Sequence, residues 1–310
     1  MNSFRRLPWR DLARNAGIGF GFLLLFLYLT FPWDAVRQRL EADLSSSLSS
    51  PQSPARVAIG GMRSSWFTGV VLDGVMLSRL DPVTGTPRAA LLPELRLRIS
   101  LWSLLRGQKS LSFSAKAMGG QLSGDLFDSK QLSSLTLDGS GLQLADTKDL
   151  LSFFGVATGL DFGGLDLQGA TTVKGDMSFK PNDLLSLKAH LDVSVDHAML
   201  KGGSVAEIDL PEVDLGKIEF LAHAQDGRFD VDRFKIDSPD VSVESDGVFL
   251  TLNQNLGYSL PHGKIRVHVG DELQKRIPYL GMGLAALKAP DRDGYYSLPL
   301  GGSLRSPRIM

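Results

Sequence analysis

The chain of 310 residues contains no cysteine. That absence excludes disulfides, thiolate zinc sites, iron–sulfur clusters, a thiol nucleophile and lipidation at a cysteine. It does not choose a redox compartment, because a chain without thiols works in either. Charge of one sign is also missing: 33 Lys+Arg oppose 34 Asp+Glu, a formal net charge of -1. A nucleic-acid binder would show a basic stripe or tail, so nucleic acid is not an expected partner. Aromatic residues are few, at 8%, whereas glycine is plentiful, at 33 residues. Gly-rich, charge-balanced chains with many short apolar stretches are commonly all-β.

Catalytic signatures are missing as well. There is no G-x-S-x-G elbow and no glycine loop leading into a helix to cradle phosphate. The histidines His190, His197, His223, His262 and His268 are scattered, and no pair has the i, i+4 spacing of a zinc protease helix. Asp291-Arg292-Asp293-Gly294 starts like a calcium loop but lacks the later ligands and distal Glu, so it reads as a turn. Gly139-Ser140-Gly141 lies between strand patterns, in a hairpin context. No Asp/Glu pair stands out as acid and base. The expectation is a protein that is not an enzyme, with no catalytic residues, no metal and no cofactor.

One long hydrophobic run is present. Asn15 to Trp33 carries no charge over 19 residues, and a helix of that length spans about 28 Å, near the bilayer's hydrocarbon thickness. Arg5, Arg6, Arg10 and Arg14 precede it, opposed only by Asp11, while the charges after it nearly balance. Positive charge stays cytoplasmic. The run therefore predicts a single-pass membrane anchor with a cytoplasmic N-terminus and the long remainder outside, and Trp9, Tyr28 and Trp33 suit the interfaces. A cleaved signal peptide would need a small-x-small site after its apolar core, and Tyr28 to Trp33 offers none. A buried core helix fits less well, because the run is apolar around its circumference. Ala13, Gly17 and Gly21 recur every four residues, which either lets a second membrane helix approach or reflects the glycine content of such helices.

Asp34 to Leu44 reads as a short amphipathic helix, with Val36, Leu40 and Leu44 on one face. The Ser/Pro-rich stretch Ser45 to Pro54 reads as a loop. From Val57 onward the period is two. Leu95, Leu97 and Ile99 alternate with Arg96 and Arg98, and Leu111 and Phe113 with Ser112 and Ser114. Leu187, Leu191 and Val193 alternate with Lys188, His190, Asp192 and Ser194, and Ile218 and Phe220 continue the theme. Such runs are half-buried strands with one wet face. Asp73-Gly74, Asp138-Gly139, Gly202-Gly203, Asp226-Gly227, Asp246-Gly247 and Asp293-Gly294 read as turns between them. Leu72-Asp73-Gly74, Leu137-Asp138-Gly139 and Leu167-Gln168-Gly169 echo one another, each expected to close one strand and open the next. Helix is expected at Asp146 to Phe154 and, broken by Pro278 and glycines, at Asp271 to Leu287.

The expected organisation is a basic cytoplasmic N-terminus (1–14), a transmembrane helix (15–33), an amphipathic helix and loop (34–56) and an exterior β domain (57–310). The fold class is mainly β: an elongated antiparallel sheet of many hairpin-linked strands with few short helices. Its candidate apolar face consists of Leu111, Phe113, Leu187, Leu191, Val193, Ile218 and Phe220.

Three segments carry a family resemblance. Ile218 to Leu252 reads IEFLAHAQDGRFDVDRFKIDSPDVSVESDGVFLTL: a strand, Asp-Gly-Arg-Phe, a second strand, Ser-Pro-Asp, and a third strand ending at Asp-Gly. Gly302-Ser303-Leu304-Arg305-Ser306-Pro307-Arg308 resembles the G-[ST]-L-x-x-P-[KR] ending of AsmA-like periplasmic proteins, and FPWDAVRQRLEADL directly follows the anchor. In this order they resemble the GspN family of type II secretion systems, in its AsmA-like branch. The resemblance implies a single-pass inner-membrane protein whose β domain (57–310) is periplasmic, an accessory component supporting export of folded proteins across the outer membrane, with other secretion-system proteins as partners. It also implies an alternative, a curved AsmA-like sheet that carries lipid or another apolar ligand in a β groove. The two readings separate on whether the apolar face is closed by packing or open.

Overall fold

The computed structural model describes residues 32–49, 54–65, 68–80, 87–144, 167–181, 183–201, 203–205, 208–277, 289–304 and 306–309, and five positions before them (18, 19, 22, 26 and 30). Among the described residues the fold is mainly β. The strands are β1 (Ala55–Ser65), β2 (Gly69–Leu80), β3 (Pro87–Ile99), β4 (Lys109–Ala117), β5 (Gly120–Asp128), β6 (Ser133–Gln143), β7 (Leu167–Lys180) and β8 (Asp183–Leu200). They continue with β9 (Gly203–Val205), β10 (Ile208–Leu210), β11 (Val213–Gln225), β12 (Arg228–Asp237), β13 (Val241–Thr251), β14 (Leu260–Val269), β15 (Tyr296–Ser303) and β16 (Ser306–Ile309). Fourteen of them form one antiparallel sheet in chain order, and β9 and β10 form a separate hairpin between β8 and β11. At about 4.8 Å per step the fourteen strands extend roughly 60 Å. The helices are α1 (Trp33–Leu48), α2 (Leu101–Leu105) and α3 (Asp271–Arg276), with a short 3-10 turn at Leu256–Tyr258.

Long strands keep one face apolar only if slips in the sequence pattern are absorbed. A one-residue slip would send every later side chain to the wrong face, and a β-bulge cancels it. In β8 the apolar series Leu191, Val193, Val195 resumes at Ala198 and Leu200, and His197, at φ 54°, occupies the slip. In β13 the series Val241, Val243 resumes at Val248 and Leu250 across Gly247, at φ 57°, where the register to β14 shifts. Asp232 does the same in β12. These bulges correct the turn assignments. Asp73-Gly74, Asp138-Gly139 and Asp246-Gly247 lie inside β2, β6 and β13, and Leu167-Gln168-Gly169 opens β7. Gly139-Ser140-Gly141 likewise lies inside β6, at a register shift against β7. Asp226-Gly227 is a true two-residue turn between β11 and β12, with both residues at positive φ (52° and 75°) as a type I′ hairpin requires. Asp293-Gly294 is also a turn: the Asp291 carboxylate accepts from the backbone N–H of Asp293 and Tyr295.

Helix α1 runs four residues further than Asp34–Leu44, taking in Ser45 to Leu48 of the stretch read as loop. The reason is tertiary. Leu40, Leu44 and Leu48 pack on a cluster of Val57, Ile59, Leu72, Val75, Leu77 and Ala90. At the opposite end of the sheet Leu273 and Ile277, from and after α3, pack with Leu200, Val213 and Val269. Arg276 ties α3 down by donating to both carboxylate oxygens of Asp240 at 2.6 Å and to the Glu212 carbonyl at 2.9 Å. The Arg276 hydrogen bond holds the Asp240 carboxyl below the usual carboxylate range. The helix expected at Asp146 to Phe154 lies outside the described residues, as does the second half of Asp271 to Leu287.

Candidate apolar-ligand face

The strand register sets the seven candidate residues on one face. Across β3 to β8, Ile99, Leu111, Leu126, Leu135, Met177 and Ala189 stand in one row. The next row is Leu97, Phe113, Gly124, Leu137, Gly175, Leu191 and, in β11, Ala222. Further along, Val193 pairs with Val173 and Phe220, and Phe220 with Phe234. Val195 pairs with Ile218, and Ile218 with Ile236. Leu187 extends the β8 series by alternation. The face is continuous from β1 to β14, since odd and even positions cannot mix within a bulge-corrected ladder.

Cover differs along this face. The end under α1 is closed, with Ile59 2% and Leu72 0% exposed. Over β4 to β8 the described residues place no second layer on the half of the face next to the β3–β4 and β5–β6 connections, where the large side chains are half-buried or exposed; toward the other end of these strands Leu142, Val195 and Leu200 are buried. Ile99 is 45% exposed, Leu126 41% and Met177 40%. This open half, five strands by about six residues, measures roughly 20 by 20 Å, near 400 Å². That is the order of the largest patch on a typical monomer, and such patches often mark a functional surface.

Small residues shape the face. A Cβ at Gly124 would run into the Thr136 carbonyl oxygen and lie 2.8 Å from the Phe113 ring, and one at Gly175 would lie 3.3 Å from the Leu191 side chain. The glycines are seats over which Phe113 and Leu191 lie. They also hid β5 to β7 from the sequence pattern: Leu122, Leu126, Leu135, Leu137, Val173 and Met177 belong to the face, but glycine breaks their alternation.

The opposite face is a lattice of charge. Arg63 makes a two-pronged contact with Asp73, and Arg96 and Lys116 flank Glu94. The Arg96 hydrogen bond holds the Glu94 carboxyl low, and Lys217, then Arg233, do so for Glu219. Arg266 bonds Asp291 at 2.7 Å and lies over the Tyr295 ring. Exposed pairs of this kind contribute little to stability, but they keep this face wet and so determine which face is left for apolar contact. His223 Nδ1 sits 2.7 Å from the carboxylate of Asp232, the bulge residue, and its pKa is raised chiefly by that hydrogen bond. A raised folded-state pKa means that the stabilisation is full below the ordinary histidine value and is lost as pH rises through the folded one. An NMR titration should give a His223 midpoint above the usual value of about 6.5, and Asp232→Asn should bring it back. An unchanged midpoint in that variant would show that Asp232 is not the cause.

Ala13, Gly17 and Gly21, and the topology-setting Arg5, Arg6, Arg10 and Arg14, lie outside the described residues, as does most of the 15–33 run. Ile18, Phe22, Phe26 and Thr30 have helical backbone, and the Thr30 hydroxyl donates to the Phe26 carbonyl at 2.7 Å. Among the described residues no helix is long and apolar enough to cross a membrane, and no three His, Asp or Glu side chains are placed to hold a metal ion. No family model, curated protein or solved structure matches the chain.

Proposed function

We propose that the chain is a membrane-tethered periplasmic carrier, whose single AsmA-like sheet shelters acyl chains or a similar long apolar ligand on its open face. The observation that carries this reading is the continuous apolar face over β4 to β8, with Leu126 41% and Met177 40% exposed while charged residues crowd the other side. A face of this size in water is costly at about 25 cal/mol per Å² unless something covers it. The tether is the uncharged run 15–33, oriented by the arginines before it. Phe113 over Gly124 and Leu191 over Gly175 give the face a relief of ridges and seats into which flexible chains fit without polar partners.

The test is a pair of substitutions in the full-length protein. Leu191 pairs with Gly175 and Ala222 on the apolar face, and Asp192 with Lys174 and Leu221 on the other. Leu191→Asp should leave the thermal transition near its original temperature, because a half-buried carboxylate still reaches water, but strip co-purifying lipid seen by extraction and mass spectrometry. Asp192→Leu should keep the lipid. Unfolding of Leu191→Asp would point instead to a closed core, and equal lipid content in both variants would end the carrier reading.

Service in a type II secretion system is a second reading. One feature favours it: among the described residues β16 pairs with β15 alone, so the backbone of Ser306–Ile309 is the last strand of the described sheet and suits strand addition by a partner. Loss of secreted enzymes from the medium on deletion of residues 305–310 alone would support it.

A further inference from the structure

The sheet has two rims, and the polarity of α1 distinguishes them. Arg37 and Glu41 meet Ile59, Ser45 meets Val57 and Ser49 meets Ala55. The helix therefore runs antiparallel to β1, and it begins, at Trp33, toward the rim where β1 ends at Ser65. Because the sheet is a meander, the same rim carries the β3–β4 connection with α2 and the β5–β6 turn. Among the described residues from Pro32 onward, every exposed large hydrophobic side chain lies at this rim, except Met76 and Leu91. On α2, Trp102 is 74% and Leu105 79% exposed; Leu132 in the β5–β6 turn is 42%. Ile99 and Leu126 continue from there onto the open apolar face. By contrast, at the far end of the same strands Ala117 is 2% and Leu142 3% exposed. Exposed cations surround the cluster: Arg98, Arg106, Lys109 and Lys130, against the half-buried Asp128 and the exposed Asp125.

We infer that this rim is a bilayer-docking surface: α2 and the β5–β6 turn rest Trp102, Leu105 and Leu132 in the headgroup region of the membrane that holds residues 15–33. Three observations select a bilayer. Helix α1, which directly follows the uncharged run in the sequence, begins toward this rim, the exposed apolar residues include an aromatic suited to the interface, and the surrounding charge is mainly positive, as at an anionic-lipid site. Strands twist by about 20° per step, so the contact is confined to the first six strands. Docking would open the apolar face directly onto the bilayer, with Ile99 and Leu126 as the first rungs. The inference rests on the tethered-carrier reading for its anchor.

The absence of native cysteine permits a clean test. Single cysteines at Leu105, at Ser140 on the far rim and at Leu24 in the uncharged run carry an environment-sensitive fluorophore. The full chain is reconstituted in vesicles of phosphatidylethanolamine and phosphatidylglycerol containing nitroxide-bearing lipid. The expected result is blue-shifted, quenched emission from positions 24 and 105 and water-like emission from 140. Charge reversal in the Leu105-labelled chain (Arg106→Glu, Lys109→Glu, Lys130→Glu) should reduce quenching at 105 and leave it at 24. Quenching at 24 with water-like emission at 105 overturns the docking and spares the anchor. Water-like emission at 24 overturns the anchor reading and the inference with it. Equal quenching at 105 and 140 overturns a rim-specific contact.

Discussion

Leu72→Ala should lower the unfolding free energy of the sheet's α1 end by about 3 kcal/mol, whereas Leu191→Ala should cost about 1 kcal/mol or less. Both residues are leucines on the same face of the same sheet. Leu72 is 0% exposed, with Met62 and Leu95 as its cross-strand neighbours, in the cluster that Leu40, Leu44 and Leu48 of α1 close from above. Truncation there loses the transfer free energy of the removed carbons and leaves a cavity that the strands cannot collapse around. Leu191 has solvent on one side, so water or ligand fills the space and the cavity contribution vanishes. Chemical denaturation of the detergent-solubilised chain, read together with amide exchange in β2 and β8, checks the contrast. Equal costs would mean that the middle of the face is packed, and the open-face reading would fail.

Opening the β1 edge should have the second large effect. A terminal strand presents unpaired N–H and C=O groups and invites pairing with another molecule. Here α1 guards them. The Glu41 carboxylate accepts from Ile59 N–H at 2.8 Å, the Ser45 hydroxyl from Val57 N–H at 2.9 Å and the Ser49 hydroxyl from Ala55 N–H at 2.9 Å, while Arg37 donates to the Ile59 carbonyl. The fit is metrical. Four helical residues rise 6.0 Å and two strand residues about 6.7 Å, so side chains at i, i+4 and i+8 keep step with alternate amides of an antiparallel strand. The combined variant Glu41→Ala, Ser45→Ala, Ser49→Ala removes three acceptors, each worth about 1 kcal/mol. It should speed amide exchange at Ala55, Val57 and Ile59 and produce dimers or larger species on size exclusion. Arg39→Ala with Asp43→Ala, an exposed pair on the far side of α1, should do neither. Unchanged exchange in the triple variant would show that the edge is protected by burial alone.

Some of this architecture is written in residue order. Alternation in Leu95 to Ile99, Leu111 to Phe113, Leu187 to Val195 and Ile218 to Phe220 determines strand, and it determines which side chains share a face, because a strand has only two. Asp226-Gly227 determines a hairpin, since both residues must adopt positive φ. The absence of cysteine and of catalytic motifs narrows the chemistry in the same local way. Other features required the assembled sheet. Whether Asp-Gly makes a turn or a bulge depends on the neighbouring strand: Asp246-Gly247 continues β13 because β14 is present to hydrogen-bond across the slip. Ser45 to Leu48 is helical because its leucine packs on β1 and β2 and its serine finds a strand amide, a contact with no trace in a Ser-rich run. Whether an apolar face is buried or open depends on what lies over it. Leu72 and Leu191 look alike in sequence, and only the position of α1 along the sheet separates them, because burial is a property of the neighbours and not of the strand that carries the residue.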